Sequence, residues 1–165
     1  MRNDDVILIM IKVSVIGALG KMGATVVKAV NEDSELELLS ALDRGDNIVH
    51  ELSQNKPDIV VDFTQPSTVF ENIKLYQSLK LKSVIGTTGL SDTQIDEIKK
   101  LSEDNNTGIL IAPNFSVGAI LMMQFAATAS KYFKNAEIIE FHHNQKKDAP
   151  SGTAIKTAKM MLEKL

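Results

Sequence analysis

The sequence predicts an α/β fold in which a mostly parallel sheet carries helices on both faces. Short apolar runs rich in β-branched residues alternate with longer stretches of helical periodicity, which is typical of parallel strands joined by helical crossovers. The glycines are the second observation, because seven of the nine lie at or beside predicted strand ends, where open α/β sheets bind their ligands. These seven are Gly17, Gly20, Gly23, Gly86, Gly89, Gly118 and Gly152.

Strands and helices alternate along the whole chain. Ser91 and Gln94 have the spacing of a capping box, which predicts the start of a helix. The apolar stripe of Met122, Met123, Phe125 and Phe133 is interpreted as core packing. We expect strands at 11–16, 36–42, 58–62, 83–86, 108–112 and 136–141, helices at 20–32, 67–80, 91–104, 117–134 and 151–165, and polar connections at 46–55 and 142–150.

Length and composition bound the class of protein. The chain has 165 residues, of which 44% are hydrophobic and 24% charged, as in ordinary soluble folds. There is no cysteine, which excludes disulfides, a thiolate nucleophile and cysteine-ligated metals, and fits a reducing compartment. The apolar run 6–16 is too short to span a bilayer and contains Lys12, so no membrane segment is expected. Residues 1–9 are interpreted as an extension or a start-site choice, and no function is assigned to them.

The net charge of −3 argues against a general nucleic-acid binder. Residues 1–130 carry 11 basic and 17 acidic side chains, whereas residues 131–165 carry 7 and 4. The basic end is either the site of an anionic ligand or a solvated helix face.

A glycine-rich turn follows the first strand. Gly17, Gly20 and Gly23 form G-x-x-G-x-x-G, a spacing variant of the dinucleotide fingerprint. Such a turn lets a pyrophosphate approach the backbone, where N–H groups at the helix start can hold it, so the sheet is expected to be of the Rossmann type. The alternative is a plain turn between strand and helix.

An acid and a base end the second predicted strand. Asp43 lies 20 residues past Gly23 and is placed to accept hydrogen bonds from an adenine ribose. Arg44 beside it could bind a 2′-phosphate, which suggests NADP with NAD tolerated. The alternative is that both residues simply begin a polar loop.

Three further loops follow predicted strands at the same sheet edge. The segments 62–66, 86–89 and 112–118 offer small or hydroxyl side chains and exposed backbone to a nicotinamide and its ribose. Taken singly, each could be an ordinary turn.

The densest chemistry lies between residues 140 and 154. His142 and His143 are adjacent, and histidine titrates near working pH, which suits proton transfer. Lys146 could donate a proton or pair with a carboxylate. The alternatives are a surface turn and a solvated face. No metal site is expected, because adjacent histidines point different ways, and His50 is interpreted as an uninvolved surface residue.

Together these motifs closely resemble the dihydrodipicolinate reductase family, from about Lys12 to the last residue. The motifs that carry the resemblance are G-A-L-G-K-M-G at 17–23, V-D-F-T at 61–64, G-T-T-G at 86–89, A-P-N-F-S at 112–116 and H-H-x-x-K-x-D-A-P-S-G-T-A at 142–154. The resemblance implies a cytoplasmic homotetramer that uses NADPH or NADH to reduce 4-hydroxy-tetrahydrodipicolinate, a small dicarboxylate of the diaminopimelate route to lysine. Neither nucleic acid nor membrane is an expected partner.

The resemblance also implies roles by matching position. His142 would be the general acid/base and Lys146 the proton donor, while His143, Gly152 and Thr153 would hold the substrate carboxylates. Asp43 would bind the adenosine ribose and Arg44 the 2′-phosphate. The pyrophosphate would lie on Gly17, Ala18, Leu19, Gly20, Lys21 and Met22, and the nicotinamide half on Gly86, Thr87, Thr88, Ala112, Pro113, Asn114 and Phe115.

The domain organisation expected from this resemblance is a dinucleotide-binding domain at 10–115 and the incomplete start of an α+β substrate and tetramerisation domain at 116–165. The chain stops inside an apolar helical pattern, so we expect a fragment whose activity alone is in doubt. Two other hypotheses stay open: a non-catalytic nucleotide-binding module, and another Rossmann oxidoreductase of amino-acid biosynthesis. Aspartate-semialdehyde dehydrogenase would need a cysteine, and homoserine dehydrogenase would not explain the histidine–lysine motif.

Overall fold

The computed structural model describes residues 10–112, 114–142, 144 and 149–163. The chain forms two compact units, the first ending at Ala112 and the second beginning at Pro113. Within the described ranges, no helix combines the length and the apolar character needed to cross a membrane.

A five-stranded sheet forms the centre of the first unit. All neighbouring strands pair in parallel, which confirms the predicted fold class. The strands are β1 (Ile11–Ile16), β2 (Leu36–Leu42), β3 (Ile59–Asp62), β4 (Lys82–Ile85) and β5 (Ile109–Ile111). Their order is β2-β1-β3-β4-β5, so the direction of winding reverses between β1 and β3. In doubly wound sheets a ligand crevice opens at this switch point.

Four helices connect these strands, namely α1 (Lys21–Glu32), α2 (Ile48–Asn55), α3 (Val69–Ser78) and α4 (Asp92–Asn105). The capping box predicted at the start of α4 is confirmed, because Ser91 and Gln94 exchange side-chain and backbone hydrogen bonds. Helix α2 corrects the expectation of a polar connection at 46–55. The Asn47 side chain accepts a hydrogen bond from the backbone N–H of His50, and the fully buried Leu52 anchors the helix.

The core consists of one apolar layer on each face of the sheet. Along β3, Val60 packs into one layer and Val61 into the other, because successive side chains of a strand point to opposite faces. The layer around Val60 is closed by α2, α3 and α4 through Leu52, Ile73 and Ile98. The opposite layer is closed by α1 through Val30. Helices therefore cover both faces, as predicted.

The second unit contains α5 (Val117–Ala129), a 3₁₀ turn (Ser130–Tyr132) and α6 (Gly152–Leu162). The strand expected at 136–141 is wrong, since these residues belong to no strand. A strand needs a neighbour for its backbone hydrogen bonds, and the described part of this unit contains only helices and irregular chain. The short apolar run that suggested the strand includes Phe141, whose side chain is 91% exposed.

The apolar stripe assigned to core packing is only partly buried. Met123 is buried, but Met122, Phe125 and Phe133 are 48%, 67% and 65% exposed. The expectation of core packing is therefore wrong for these three residues. Helix α5 is apolar on all sides, so its periodicity could not identify the buried face.

Ile73 should contribute more to the free energy of unfolding of the first unit than an exposed isoleucine does. Its side chain on α3 is fully buried, so Ile73→Ala should lower the free energy of unfolding by about 2–5 kcal/mol. Ile95→Ala on α4 is the matched control, because it makes the same change in a helix at a side chain that is 41% exposed. Urea unfolding should place the control within about 0.5 kcal/mol of the parent chain. Equal losses in both variants would contradict the layered core.

Candidate functional site

Phe63, directly after β3, fixes the spacing of two neighbouring loops. Gly17 has a φ of +81°, and a Cβ there would lie 2.5 Å from the carbonyl oxygen of Phe63. A Cβ on Gly86 would overlap the ring of Phe63. Both positions therefore require glycine, the first for its left-handed backbone as well. Phe63 therefore packs closely against both the turn after β1 and the loop after β4.

The turn between β1 and α1 leaves a defined set of N–H groups without partners. The N–H groups of Gly17 and Ala18 both donate to the carbonyl of Leu42, at 2.8 and 3.1 Å. Those of Leu19 and Gly20 donate to the Asp43 carboxylate and to the carbonyl of Gly17. The N–H groups of Lys21, Met22 and Gly23 make no hydrogen bond to any described residue.

These three N–H groups form the positive end of α1. Gly20 is its N-cap residue and has no side chain to cap the helix. A twelve-residue helix with an uncapped N-terminus attracts an anion through its free donors and its dipole. Free N–H donors are therefore available at the start of α1, whereas the N–H groups of residues 17–20 already make hydrogen bonds within the turn.

Asp43, at the end of β2, is oriented by the backbone. Its carboxylate accepts hydrogen bonds from the N–H groups of Arg44 and Leu19, both at 2.8 Å. The hydrogen bond from Arg44 N–H lowers the pKa of Asp43 most, and that from Leu19 N–H lowers it further, so the side chain stays ionised. The Arg44 guanidinium contributes a smaller electrostatic effect and makes no hydrogen bond or salt bridge within the described ranges.

Most of the predicted cofactor residues line two adjoining cavities, which share Gly20, Phe63 and Thr64. The first, of about 540 Å³, is lined by Gly17, Leu19, Gly20, Asp43, Arg44, Gly45, Phe63, Thr64 and Asn72, among others. The second, of about 290 Å³, is lined by Gly20, Lys21, Met22, Phe63, Thr64, Pro66, Gly86, Thr87 and Thr88. The residues fit an extended dinucleotide, because free N–H donors stand at the start of α1 and the ionised Asp43 lines the larger cavity.

Four of the predicted cofactor residues that the structure describes do not line these cavities. Ala18 is buried in the apolar layer beneath α1. Ala112 continues the sheet edge by donating to the carbonyl of Ile85, and Asn114 and Phe115 belong to the second unit. Pro113 lies outside the described residues.

A buried carboxylate beneath the two cavities escaped the sequence analysis. Asp62, the last residue of β3, is fully buried and accepts five hydrogen bonds. A signal for it exists, since Asp two residues before Thr is typical of a local side-chain-to-backbone turn. The five donors are Thr64 N (2.8 Å), Thr64 Oγ1 (2.6 Å), Asn72 Nδ2 (3.0 Å), Tyr76 OH (2.6 Å) and Thr87 Oγ1 (3.3 Å).

In the second unit, Glu140 connects His142 to the start of α6. One carboxylate oxygen of Glu140 accepts a hydrogen bond from Ser151 N at 2.9 Å. The other lies 4.0 Å from His142 Nδ1. Ser151 in turn caps α6 by accepting a hydrogen bond from Ala154 N. Glu140 was missed by sequence reasoning, because only the fold brings it to Ser151, eleven residues away.

His142 and Thr153 line one cavity of about 400 Å³ in this unit, together with Glu140 and Ser151. The N–H groups of Gly152 and Thr153, in the first turn of α6, have no hydrogen-bond partner in the described ranges. Thr153 also receives a 3.4 Å hydrogen bond from the Asn114 amide. His143 and Lys146, assigned to substrate binding and proton donation, lie outside the described residues. Within the described ranges, no three His, Asp, Glu or Cys side chains form a metal-binding group.

Two family profiles match the sequence. The profile described as "Dihydrodipicolinate reductase, N-terminus" matches residues 11–115, and that described as "Dihydrodipicolinate reductase, C-terminus" matches residues 118–165. The chain belongs to the dihydrodipicolinate reductase family. The resemblance inferred from the motifs is thereby confirmed.

Curated relatives in the dihydrodipicolinate reductase family carry the name 4-hydroxy-tetrahydrodipicolinate reductase. The protein of Syntrophomonas wolfei is 46% identical over 91% of this chain and 64% of its own length. That of Streptococcus sanguinis is 48% identical over 92% of this chain and 64% of its own length. The chain thus spans slightly less than two thirds of these relatives.

A solved structure of the same family has the same fold. It is the dipicolinate-bound dihydrodipicolinate reductase from Paenisporosarcina sp. TG-14, with a TM-score of 0.77 and 41% identity over 93% of this chain and 66% of that one. The myo-inositol 2-dehydrogenase of Lactobacillus plantarum, at 14% identity, a TM-score of 0.59 and coverage of 74% of this chain and 42% of its own, shares the fold alone.

The contact between Gly86 and Phe63 can be tested by stability. Gly86→Ala should cost about 1–3 kcal/mol of unfolding free energy, because the new methyl group must displace the Phe63 ring. Gly108→Ala, at a position with no atom within 4 Å, should change it by less than about 0.5 kcal/mol. Urea unfolding measures both, and the proton NMR shifts of the Phe63 ring should move only in the first variant. Unchanged ring shifts in Gly86→Ala would contradict the packing.

Proposed function

We propose that this chain provides the cofactor site and the catalytic motif of a 4-hydroxy-tetrahydrodipicolinate reductase, which uses NAD(P)H in the diaminopimelate route to lysine. The observation that carries the proposal is the uncapped N-terminus of α1, whose N–H groups could bind an anion beside Asp43 and Arg44, in a chain of this family. The dinucleotide domain is assigned to 10–115 and the substrate domain to 116–165.

In this proposal, different residues of the first unit bind different parts of the cofactor, according to their chemistry. The N–H groups of Lys21, Met22 and Gly23 would hold the pyrophosphate. The ionised Asp43 would accept hydrogen bonds from the adenosine ribose. The cavity at Gly86, Thr87 and Thr88 would take the nicotinamide half, with Ala112, Pro113, Asn114 and Phe115 as further proposed contacts. When bound, the cofactor supplies a hydride.

The second unit would hold the substrate and supply the proton. Free N–H groups at Gly152 and Thr153 suit a substrate carboxylate, and His143 is the further proposed carboxylate contact. Hydride addition to a conjugated imine leaves a nitrogen-centred anion or enamine that must gain a proton. His142 is proposed as the general acid/base and Lys146 as the proton donor. Dipicolinate, which is bound to the Paenisporosarcina relative, likewise carries carboxylates that such N–H groups could bind.

The proposed location is the cytoplasm and the proposed assembly a homotetramer. Support for assembly comes from the second unit, where Phe125, Phe133 and Phe141 are exposed. Exposed large aromatic side chains are typical of surfaces that become covered by protein.

The activity is tested by mixing the chain with NADPH and with substrate produced in situ by the preceding synthase. Oxidation of NADPH is the expected result, and His142→Gln should lower turnover at least about 100-fold while leaving the Kd for NADPH within twofold. Lys146→Ala should behave in the same way. Binding of NADPH without oxidation would favour a nucleotide-binding module instead. Parallel loss of cofactor binding in both variants would contradict the assigned roles.

The preference between the two cofactors should depend on Arg44. Arg44 lines the larger cavity beside Asp43, and its guanidinium, which makes no hydrogen bond or salt bridge within the described ranges, could form a forked pair with a 2′-phosphate. Arg44→Gln should therefore raise the Kd for NADPH by about tenfold, equivalent to about 1.4 kcal/mol, and change that for NADH by less than twofold. Lys99→Gln, on α4 away from both cavities, removes the same charge and should change neither. Equal effects of Arg44→Gln on the two cofactors would contradict a 2′-phosphate contact.

A further inference from the structure

Asp62 is the one carboxylate in the described first unit that water does not reach. Its exposed fraction is 0%, and it lines neither cavity. An ionised side chain in such a place is costly unless hydrogen bonds replace its hydration. The five hydrogen bonds that it accepts provide this replacement, and they come from three separate parts of the unit.

The two oxygens of Asp62 serve different partners. Oδ2 accepts from Asn72 and Tyr76, which are both on α3. Burial, the charge of Asp62 and their hydrogen bond raise the pKa of Tyr76, so this hydroxyl remains protonated and donates. Oδ1 accepts from the loops that line the cavities, through the backbone and hydroxyl of Thr64 and the hydroxyl of Thr87.

The Oδ1 contacts determine what the two threonines can offer to a ligand. A hydroxyl has a single hydrogen, and in Thr64 and Thr87 that hydrogen is donated to Asp62. Thr64 Oγ1 also accepts a 3.4 Å hydrogen bond from Asn72 Nδ2, so one acceptor direction of this oxygen is already used. What each hydroxyl can still offer to the cavities that these residues line is a lone pair. A ligand group beside them must therefore be a hydrogen-bond donor, such as a ribose hydroxyl or a carboxamide N–H. A phosphate oxygen would meet acceptors and a buried negative charge.

We propose that Asp62 is a positioning residue that fixes Thr64 and Thr87 as hydrogen-bond acceptors for the nicotinamide–ribose half of the cofactor. This inference rests on the proposed function for the identity of the ligand. The arrangement of the two loops around Asp62 is independent of that function and can be measured without a cofactor.

The test compares Asp62→Asn with Tyr76→Phe in the same chain. Asparagine keeps the size of the side chain, but it removes the charge that strengthens all five hydrogen bonds, those from Thr64 and Thr87 included, and it replaces one acceptor oxygen with an amide that cannot accept. Tyr76→Phe removes a donor from Oδ2 and leaves the Oδ1 contacts in place. Both variants should lower the melting temperature, so this pair separates a positioning role from a merely structural one.

Asp62→Asn should raise the Kd for NADPH at least fivefold, with a smaller change for 2′,5′-ADP, which lacks the nicotinamide half. Tyr76→Phe should leave both Kd values within twofold. Without cofactor, amide exchange in segments 63–68 and 86–90 should accelerate at least tenfold in Asp62→Asn and less than threefold in Tyr76→Phe. Equal behaviour of the two variants would overturn the inference.

If Asp62→Asn does not fold, a second pair decides. Thr87→Val should weaken NADPH binding at least fivefold, and Thr87→Ser, which retains the hydroxyl, should bind within twofold of the parent. Equal binding by both would overturn the acceptor role. Failure of the parent chain to bind NADPH would refute the proposed function, and the exchange comparison would still decide whether Asp62 positions the loops.

Discussion

The first unit depends on one buried charge. Asp62 ends β3 with its carboxylate fully excluded from water, and this is tolerable only while donors from the β3 loop, from α3 and from the β4 loop all stay in place. A buried carboxylate that loses a donor is left with an uncompensated cost. The fold thus converts one charge into a constraint on three separate chain segments.

Steric contact reinforces this electrostatic constraint around Phe63, the next residue. Its carbonyl stands against Gly17 and its ring against Gly86, so the β1 turn and the β4 loop have no room to approach further. Hydrogen bonds draw the loops toward Asp62, whereas close packing around Phe63 limits how near they come. Both effects act at the carboxyl ends of the strands, beside the switch point between β1 and β3.

Structural features that depend on residues close together in the sequence could be predicted, whereas those that depend on a distant residue could not. Strand–helix alternation and the capping box of Ser91 depend on neighbours in the chain, and the structure bears them out. Thr64, two residues after Asp62, gives a local signal for two of its donors, but the other three come from positions 10 to 25 residues away, and no local pattern identifies those. The same reason explains the wrong strand at 136–141: a short apolar run was present, but a strand also requires a pairing partner. Helix α2 was missed because one buried leucine and an asparagine cap give a weak periodic signal.

The sheet edge separates hydrogen-bond donors from acceptors, and this separation has a chemical consequence. The start of α1 offers N–H groups that have no partner, while Asp43, Thr64 and Thr87 offer oxygens whose orientation is set by bonds within the unit. A dinucleotide has the complementary pattern, with anionic phosphates between two ribose–base halves that are rich in donors. Because these oxygens are already held by the protein, binding would not have to order them, which reduces the entropic cost of association. The proposed cofactor site therefore gains specificity from contacts that the protein completes before any ligand arrives.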